Sequence, residues 1–238
     1  MRINVFISAS GYCSRRAAER LVASGQVKIN GLLAEKNCIV NSQDIVQIND
    51  EVIHITNEKD YIILNKPVGI TCTGLQTVKG NIIDFVNYPK RLFPVGRLDK
   101  DSEGLIIMTN DGPIAHKILH SEHGHEKEYI VTLDKEFDDN FIFGMSNGVQ
   151  IGEEVTKKCE VTRVTENTFR IILTQGLNRQ IRKMAKNFGF RVVKLKRIRI
   201  MNIKLGNLEV GKWRSLSELE LKTLIDQLKE EESNENIN

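Results

Sequence analysis

The chain has 238 residues, of which 40% are hydrophobic, and a net charge of only +3 at pH 7. This is enough apolar sequence for one large domain or two unequal ones. No run approaches the roughly 18 apolar residues of a membrane span, and the N-terminus lacks an apolar signal core, so we expect a cytoplasmic protein without a membrane partner. The cysteines, with no C-x-x-C pair, argue against a disulfide framework and a zinc cage; they are Cys13, Cys38, Cys72 and Cys159.

Charge is distributed unevenly along the chain. Residues 230–238 contain four Glu and no Lys or Arg, and with no apolar period they are predicted to form a disordered acidic tail. The first 36 residues contain six cations and two anions, which favours a polyanionic partner for this segment. The six cations are Arg2, Arg15, Arg16, Arg20, Lys28 and Lys36.

Residues 1–55 are predicted to form a small unit of their own. In "SRRAAERLVASG", Ser14 is a helix N-cap and Gly25 is a helix stop. In the next segment, "QVKINGLLAEK", residues alternate in hydrophobicity around Asn30-Gly31, a dipeptide typical of a β-hairpin turn. The polar stretch "TNEKD", residues 56–60, is predicted to be a linker.

The remainder, residues 61–229, alternates between strand and helix patterns. Strands are predicted at "YIILNKPVG", "LIIM", "KEYIVTL", "CEVTRV", "TFRIILT" and "RVVKLKRIRI", and helices at "NIIDFVNY", "PIAHKILH", "NRQIRKMAKNFG" and "SELELKTLIDQL". The last helix begins with a Ser217-x-x-Glu220 capping box. The pattern predicts an α+β fold whose sheet is rich in hairpin-like connections.

The segment "RLDKDSEGLIIM", residues 97–108, places Asp99, Asp101 and Glu103 directly before a strand that reads as buried. The three carboxylates match positions one, three and five of a calcium loop, but position twelve is Asn110 and not Glu. Calcium binding is therefore not expected, and the alternative is that one carboxylate takes part in chemistry.

A second possible metal site also lacks the expected pattern. The histidines between residues 116 and 125 have no cysteine nearby and no H-E-x-x-H arrangement, so no metal is predicted there. They are His116, His120, His123 and His125.

The helix at residues 178–189 has an apolar stripe that includes Ile181, and a neighbouring basic face. That face carries Arg179, Arg182, Lys183 and Lys186. It is either a solvated face, the simpler interpretation for the two lysines, or part of a phosphate-binding track with the cations of the next strand. Those cations are Arg191, Lys194, Lys196, Arg197 and Arg199. An arginine at the core edge of the helix could also pair with a carboxylate of the 97–108 loop.

Four ordered motifs, "NKPVG", "GRLDKDSEGL", "KEYIV" and "QGLNRQIRKM", resemble those of RNA pseudouridine synthases of the RsuA/RluF branch, closest to the RluF type that modifies large-subunit ribosomal RNA. The N-terminal "SRRAAERLVASGQVKING" resembles an S4 RNA-binding domain. The resemblance implies an S4 domain over residues 1–55 and a synthase domain over residues 61–229, whose mixed, mainly antiparallel sheet is flanked by helices.

The resemblance also implies the reaction: uracil is detached from ribose C1′, rotated and rejoined through C5, without metal or cofactor. Asp99 is then the catalytic residue, either attacking C1′ or removing the C2′ proton. Arg182 is expected to pair with Asp99 and orient it. Tyr129 is expected to stack on the uracil and to accept the C5 proton, with Ile181 packed beneath it.

The remaining residues are assigned to substrate and RNA contacts. Lys66 and Pro67 are expected to support the floor of the site, and Arg97 and Arg179 to contact substrate. Asp101 and Glu103 are then ordinary solvated loop residues. The predicted RNA-binding residues are Arg15, Arg16, Arg20, Lys28, Lys183, Lys186, Lys194, Lys196 and Arg197.

Two alternatives to a monomeric ribosomal RNA enzyme stay open. One is a synthase that acts on the anticodon loop of transfer RNA. The other is a non-catalytic, ribosome-associated S4 protein, which would need neither Asp99 nor Tyr129 nor Arg182.

Overall fold

The computed structural model describes residues 1–55, 57–119 and 124–235, with the backbone alone for 231–235. These residues divide into two compact units. The first comprises Met1–Asp60 with the short segments Tyr88–Phe93 and Thr109–Gly112, and the second comprises the rest. No helix in the described part of the chain is long and apolar enough to cross a membrane.

The first unit packs two helices on a four-stranded sheet. The helices are α1 (Ile3–Ala9) and α2 (Arg15–Ala23), and the strands are β1 (Val27–Ile29), β2 (Leu32–Leu33), β3 (Val46–Ile48) and β4 (Glu51–Ile53). The strand order is β2-β1-β3-β4, and each neighbouring pair is antiparallel. One apolar cluster, which includes Ile3, Ile7 and Val46, joins the helices to the sheet.

Two local predictions in this unit are confirmed. The Ser14 hydroxyl accepts a hydrogen bond from the amide of Ala17 at 3.2 Å, so Ser14 caps α2. Asn30 and Gly31 both have positive φ, 52° and 81°, as a two-residue hairpin turn between antiparallel β1 and β2 requires. Helix α1 was not predicted from the sequence.

The second unit is built on one large mixed sheet. The strands that follow along the chain are β5 (Tyr61–Lys66), β6 (Phe93–Pro94), β7 (Glu103–Thr109), β8 (Lys127–Leu133), β9 (Gln150–Ile151), β10 (Glu154–Val155), β11 (Glu160–Arg163), β12 (Thr168–Leu173), β13 (Val192–Ile200), β14 (Ile203–Lys204) and β15 (Trp213–Ser215). The helices are α3 (Ile82–Val86), α4 (Gly112–Leu119), α5 (Asp139–Ser146), α6 (Gln180–Asn187) and α7 (Glu218–Glu235).

The order of the large sheet is β11-β12-β8-β13-β7-β5-β15, with β14 paired to β13 and β6 to β7; β9 and β10 form a separate hairpin. The β13–β7 pair is parallel, whereas β11–β12, β12–β8, β8–β13 and β5–β15 are antiparallel. The predicted α+β class with a mixed, mainly antiparallel sheet is therefore confirmed.

One face of β8, β12 and β13 is covered by α5 and α6. The apolar cluster there includes Val131, Phe169 and Leu195 from the strands and Ile181 from α6. Helix α5 was missed in the sequence, because "DDNFIFGMS" combines strand-forming residues with a glycine. Its N-cap is Asp138, whose carboxylate accepts from the amide of Phe141 at 3.0 Å.

Helix α7 corrects one prediction and confirms another. It continues through Glu235, so residues 230–235 are helical and not disordered, in keeping with the good helix propensity of Glu; residues 236–238 lie outside the described part, as does Thr56 of the predicted linker. The capping box is present, because Ser217 Oγ accepts from the Glu220 amide and Glu220 Oε2 from the Ser217 amide. Hydrogen bonding to Arg214 is the main cause that lowers the pKa of Glu220 to about 2.

Gly104 fixes the distance between β7 and β13. It has a φ of +114°, and a Cβ atom at this position would lie 2.2 Å from the carbonyl oxygen and 2.6 Å from the amide nitrogen of Arg197. Neither a side chain nor an ordinary L-residue backbone fits there. Only glycine therefore allows the strand that follows Asp99 to approach β13 so closely.

We expect Gly104→Ala to lower the free energy of unfolding by about 3 kcal/mol, since overpacking against backbone adds to the cost of positive φ. Urea unfolding measures this loss. Gly189→Ala is the matched control, because Gly189 has a φ of +77° with nothing within 4 Å, and its cost should be only about 1 kcal/mol. Equal losses in both variants would contradict the close-packing explanation.

Candidate active site

The loop that carries Asp99 connects β6 to β7 and is held at several points. The amide of Ser102 donates to the Asp99 carbonyl at 3.0 Å, which closes a turn over residues 99–102. The amide of Gly69 donates to the Lys100 carbonyl at 2.8 Å, and the amide of Leu98 to Sγ of Cys72 at 3.4 Å. These contacts tie the loop to residues 69–72, so the half-exposed Asp99 side chain stands on a fixed backbone.

Arg179 contacts both aspartates of this loop. Its Nη1 and Nη2 donate to Oδ1 and Oδ2 of Asp101 at 3.1 and 2.9 Å, and Nη1 also lies 3.4 Å from Oδ2 of Asp99. The hydrogen bonds from Arg179 are the main cause that lowers the pKa of Asp101. Arg179, predicted to contact substrate, is thus the arginine that reaches Asp99.

The predicted pair between Arg182 and Asp99 is wrong in this structure. Nη2 of Arg182 donates instead to the Asp101 carbonyl at 2.9 Å and to Oγ of Ser102 at 3.2 Å, and Nη1 donates to the Val192 carbonyl at 3.0 Å. The carboxylate oxygen that this side chain approaches is Oδ2 of Asp101, at 3.5 Å. Arg182 thus binds the backbone and the Ser102 hydroxyl of the loop, whereas Arg179 reaches the Asp99 carboxylate.

Arg182 is well buried, with only 13% of its side chain exposed. Burial lowers the pKa of its guanidinium. Its Nε is buried without a hydrogen-bond partner among the described residues. The side chain is therefore a partly satisfied buried cation that joins α6, β13 and the Asp99 loop.

Tyr129 lies near the start of β8, half-buried, and packs against the same apolar cluster that contains Ile181. It is directly opposite Arg197 on β13, and Arg197 is in turn opposite Gly104 on β7. Two strand spacings place the Cα of Tyr129 about 10 Å from the Cα of Gly104. The structure thus brings Tyr129 and the Asp99 loop to neighbouring parts of one sheet.

Lys66 is completely buried, and its ammonium group binds backbone carbonyls of the protein. Its ammonium donates to the carbonyls of Pro67 and Ile70 at 2.8 and 2.9 Å. Burial lowers the pKa of Lys66, and Cys72, Asp101 and Asp99 act in the opposite direction. Lys66 therefore holds the loop that follows β5 beside the Asp99 loop, and Pro67 is half-buried there.

Arg197 was predicted to bind RNA phosphates, but this prediction is wrong because the residue is buried. Its side chain is only 3% exposed, and Nε donates to the Leu105 carbonyl at 2.7 Å. The register places it on the same face of the sheet as Tyr129. A buried guanidinium in the sheet cannot join a surface phosphate track.

The other predicted RNA-binding residues lie at the surface. Lys28, in the first unit, is partly exposed and pairs with Asp50 at 2.6 Å, and Lys196 is partly exposed. The exposed ones are Arg15, Arg16 and Arg20 in the first unit, and Lys183, Lys186 and Lys194 in the second. Arg97, predicted to contact substrate, is also exposed. Lys183 and Lys186 project from α6, the helix that also carries Arg182.

Sequence reasoning missed the contacts of two charged residues in this loop. Asp101 is solvated as expected, with 48% of its side chain exposed, but it also binds Arg179. For Glu103 the expectation is wrong, since it lies 3.3 Å from Lys196 with 15% of its side chain exposed. A signal for Asp101 was present in the sequence, because an arginine directly precedes α6 and a second aspartate follows Asp99 by two residues.

Among the described residues, no group of three or more His, Cys, Asp or Glu side chains is arranged to hold a metal ion. Of the four histidines that were considered as a metal site and rejected, His120 and His123 lie outside the described residues. His125 is buried, with Nδ1 hydrogen-bonded to the Ile118 carbonyl at 3.0 Å.

We expect Arg182→Met to lower the free energy of unfolding by about 2 kcal/mol, because it leaves the Asp101 and Val192 carbonyls without their donor. Chemical denaturation of the purified protein measures the change. Lys183→Met removes the neighbouring, exposed cation of α6 and should change stability by no more than about 0.5 kcal/mol. If both variants were equally stable, the proposed anchoring by Arg182 would be wrong.

Known proteins resemble this chain over most of its length. The RNA pseudouridylate synthase family model matches residues 60–187, and the S4 domain model matches residues 1–46. The chain is 50% identical over 223 residues to a dual-specificity RNA pseudouridine synthase RluF from Shigella flexneri, covering 93% of this chain and 77% of the relative. The RluF of Escherichia coli K12 is 49% identical with the same coverage. Among solved structures, a pseudouridylate synthase with 29% identity superposes with a TM-score of 0.70, covering 94% of this chain and 99% of the other.

Proposed function

The chain belongs to the RNA pseudouridylate synthase family and isomerises uridine in RNA, and from this premise we propose that Asp99 starts the reaction on a uridine of large-subunit ribosomal RNA. The observation that carries the proposal is the fixed loop of residues 97–102, which presents Asp99 beside Arg179 and leads into Gly104, two strand spacings from Tyr129. The ribosomal substrate follows from the motif resemblance to the RluF type, and the names of the RluF relatives specify a dual-specificity enzyme that acts on RNA.

The chemistry requires one carboxylate and no redox partner. The C1′–N1 bond breaks, a C1′–C5 bond forms, C5 loses a proton and N1 gains one, so atoms and electrons balance within the nucleotide. Asp99 either adds to C1′ or removes the C2′ proton, and a carboxylate suits both roles. Tyr129, with its ring half-exposed above the cluster of Ile181, is the proposed stacking surface for uracil and acceptor of the C5 proton.

The target uridine must leave its stack before it can reach Asp99, at a cost of a few kcal/mol. Exposed cations on this unit, Arg97, Lys183 and Lys186, would offset that cost by contacts to the RNA backbone. Residues 1–55 are proposed to add an S4 RNA-binding domain, residues 56–60 a linker and residues 61–229 the catalytic domain. A monomer in the cytoplasm fits a ribosomal substrate and a site whose proposed catalytic residues, Asp99 and Tyr129, come from one unit of one chain.

We expect Asp99→Asn to abolish pseudouridine formation while RNA affinity stays within twofold of the wild type, because the amide keeps the shape but is neither nucleophile nor base. Carbodiimide mapping on unmodified ribosomal and transfer RNA detects the product and names the nucleotide. Asp226→Asn, which changes an exposed aspartate on α7, is the control and should be fully active.

Three outcomes of this experiment are informative. A carbodiimide-dependent stop of reverse transcription in ribosomal RNA marks a pseudouridine, and a stop that requires Asp99 supports the proposal as stated. A stop in transfer RNA alone would replace the proposed substrate, an outcome that the dual-specificity names of the RluF relatives make worth testing. Full activity of Asp99→Asn would remove Asp99 from the chemistry.

We expect Lys183→Gln/Lys186→Gln to weaken RNA binding and to reduce the slope of log K against log salt by about 1.5, as two lost phosphate contacts predict. Binding titrations at several salt concentrations measure the slope. Lys212→Gln/Lys222→Gln removes two exposed lysines elsewhere in the same unit and should leave the slope unchanged. Equal slopes for both double variants would place the RNA contacts away from α6.

A further inference from the structure

Asp101 lies at the junction between α6 and Asp99. Its side chain accepts both terminal nitrogens of Arg179, at 3.1 and 2.9 Å, while its carbonyl accepts Nη2 of Arg182 at 2.9 Å. Arg179 in turn lies 3.4 Å from Oδ2 of Asp99. Both arginines therefore contact Asp101: Arg179 binds its side chain, and Arg182 binds its backbone carbonyl and lies 3.5 Å from its Oδ2 as well. Of the two, Arg179 is the one that reaches Asp99.

The backbone of Arg179 shows that this arrangement is imposed on the chain. Arg179 precedes α6 in a left-handed conformation, with φ of 52° and ψ of 36°, and has no side-chain capping bond. A long side chain rarely adopts this conformation, which persists where surrounding contacts determine it. The bidentate contact with Asp101 is such a contact, since it fixes both the distance and the plane of the guanidinium.

The Arg179–Asp101 ion pair is too exposed to contribute much to the stability of the protein. The two side chains are 43% and 48% exposed, and ion pairs of this kind add little to the stability of a protein. What the pair does fix is the position of the guanidinium, whose Nη1 contacts Oδ2 of Asp99. Among the described residues, Oδ1 of Asp99 accepts no hydrogen bond, so this oxygen stays available to the reacting ribose.

We propose that Asp101 is a positioning residue for the reaction: it holds Arg179 against Oδ2 of Asp99, and this orients Asp99 toward the ribose. The inference rests on the proposed role of Asp99. It assigns a function to a carboxylate that does not itself touch the reacting atoms, and it makes Arg179 the connecting group.

The first test is the kinetics of Asp101→Asn on the RNA identified by the mapping experiment. The variant keeps the size of the side chain but loses the charge that binds both nitrogens of Arg179. We expect kcat to fall about tenfold, with KM within twofold and an unchanged urea midpoint. Asp101→Glu keeps the carboxylate and should recover most of kcat. Glu103→Gln, which changes the neighbouring carboxylate paired with Lys196, should stay within twofold of the wild-type kcat.

The second test is a double-mutant cycle with Arg179→Ala. If Asp101 acts through Arg179, Asp101→Asn should cause no further loss of kcat in the Arg179→Ala background. Independent, multiplying losses would overturn the proposal. So would a rise in KM with kcat unchanged, which would mean that Asp101 orients Arg179 toward RNA, or a urea midpoint that falls in parallel with activity.

Failure of this inference is distinguishable from failure of the proposed function. If Asp99→Asn is inactive but Asp101→Asn has wild-type kcat, Asp99 keeps its role and Asp101 is no longer a positioning residue. If Asp99→Asn is active, the proposed chemistry fails first, whatever Asp101→Asn does.

Discussion

The close contact between Gly104 of β7 and the backbone of Arg197 on β13 is the constraint on which the site depends. It joins the two parallel strands in the middle of the sheet. Because the Asp99 loop runs directly into β7, this contact sets where the loop ends. Because β13 also pairs with β8, it sets the distance from that loop to Tyr129. A single missing Cβ thus determines the spacing of the candidate catalytic groups.

Around this contact the protein buries three cations and satisfies them mainly with carbonyl oxygens. Lys66 binds the carbonyls of Pro67 and Ile70, Arg182 those of Asp101 and Val192, and Arg197 that of Leu105. Burying a charge is costly unless it is well hydrogen-bonded, and Nη2 of Arg197, like Nε of Arg182, has no partner among the described residues. Buried cations raise the electrostatic potential around them, which suits a site that receives a polyanionic substrate.

The two arginines of the "NRQIR" segment, Arg179 and Arg182, bind different groups because α6 begins between them. Arg182, inside the helix, is drawn to backbone groups of the loop and of β13, whereas Arg179, at the left-handed residue before the helix, extends over the carboxylates. Both side chains nevertheless contact the same loop, Arg179 through the carboxylates and Arg182 mainly through the backbone. Their different burial then separates a structural role for Arg182 from a role at Asp99 for Arg179.

The sequence by itself determined what depends on local chemistry and on motif order. The Ser14 cap, the Asn30-Gly31 turn and the Ser217–Glu220 capping box follow from interactions between residues close in the chain, and the four ordered motifs identified the family. Tertiary structure alone decided the partners of Arg179 and Arg182, the burial of Arg197 and the existence of α5. Each of these depends on packing between segments far apart in sequence: α6 on the loop that precedes β7, β13 on β7, and Phe188 on Gly144 of α5, where a Cβ atom would lie 2.5 Å from the ring. The residue pattern predicts which face of a helix or strand is apolar. Which side chain binds a given carboxylate depends on how the sheet and helices pack together.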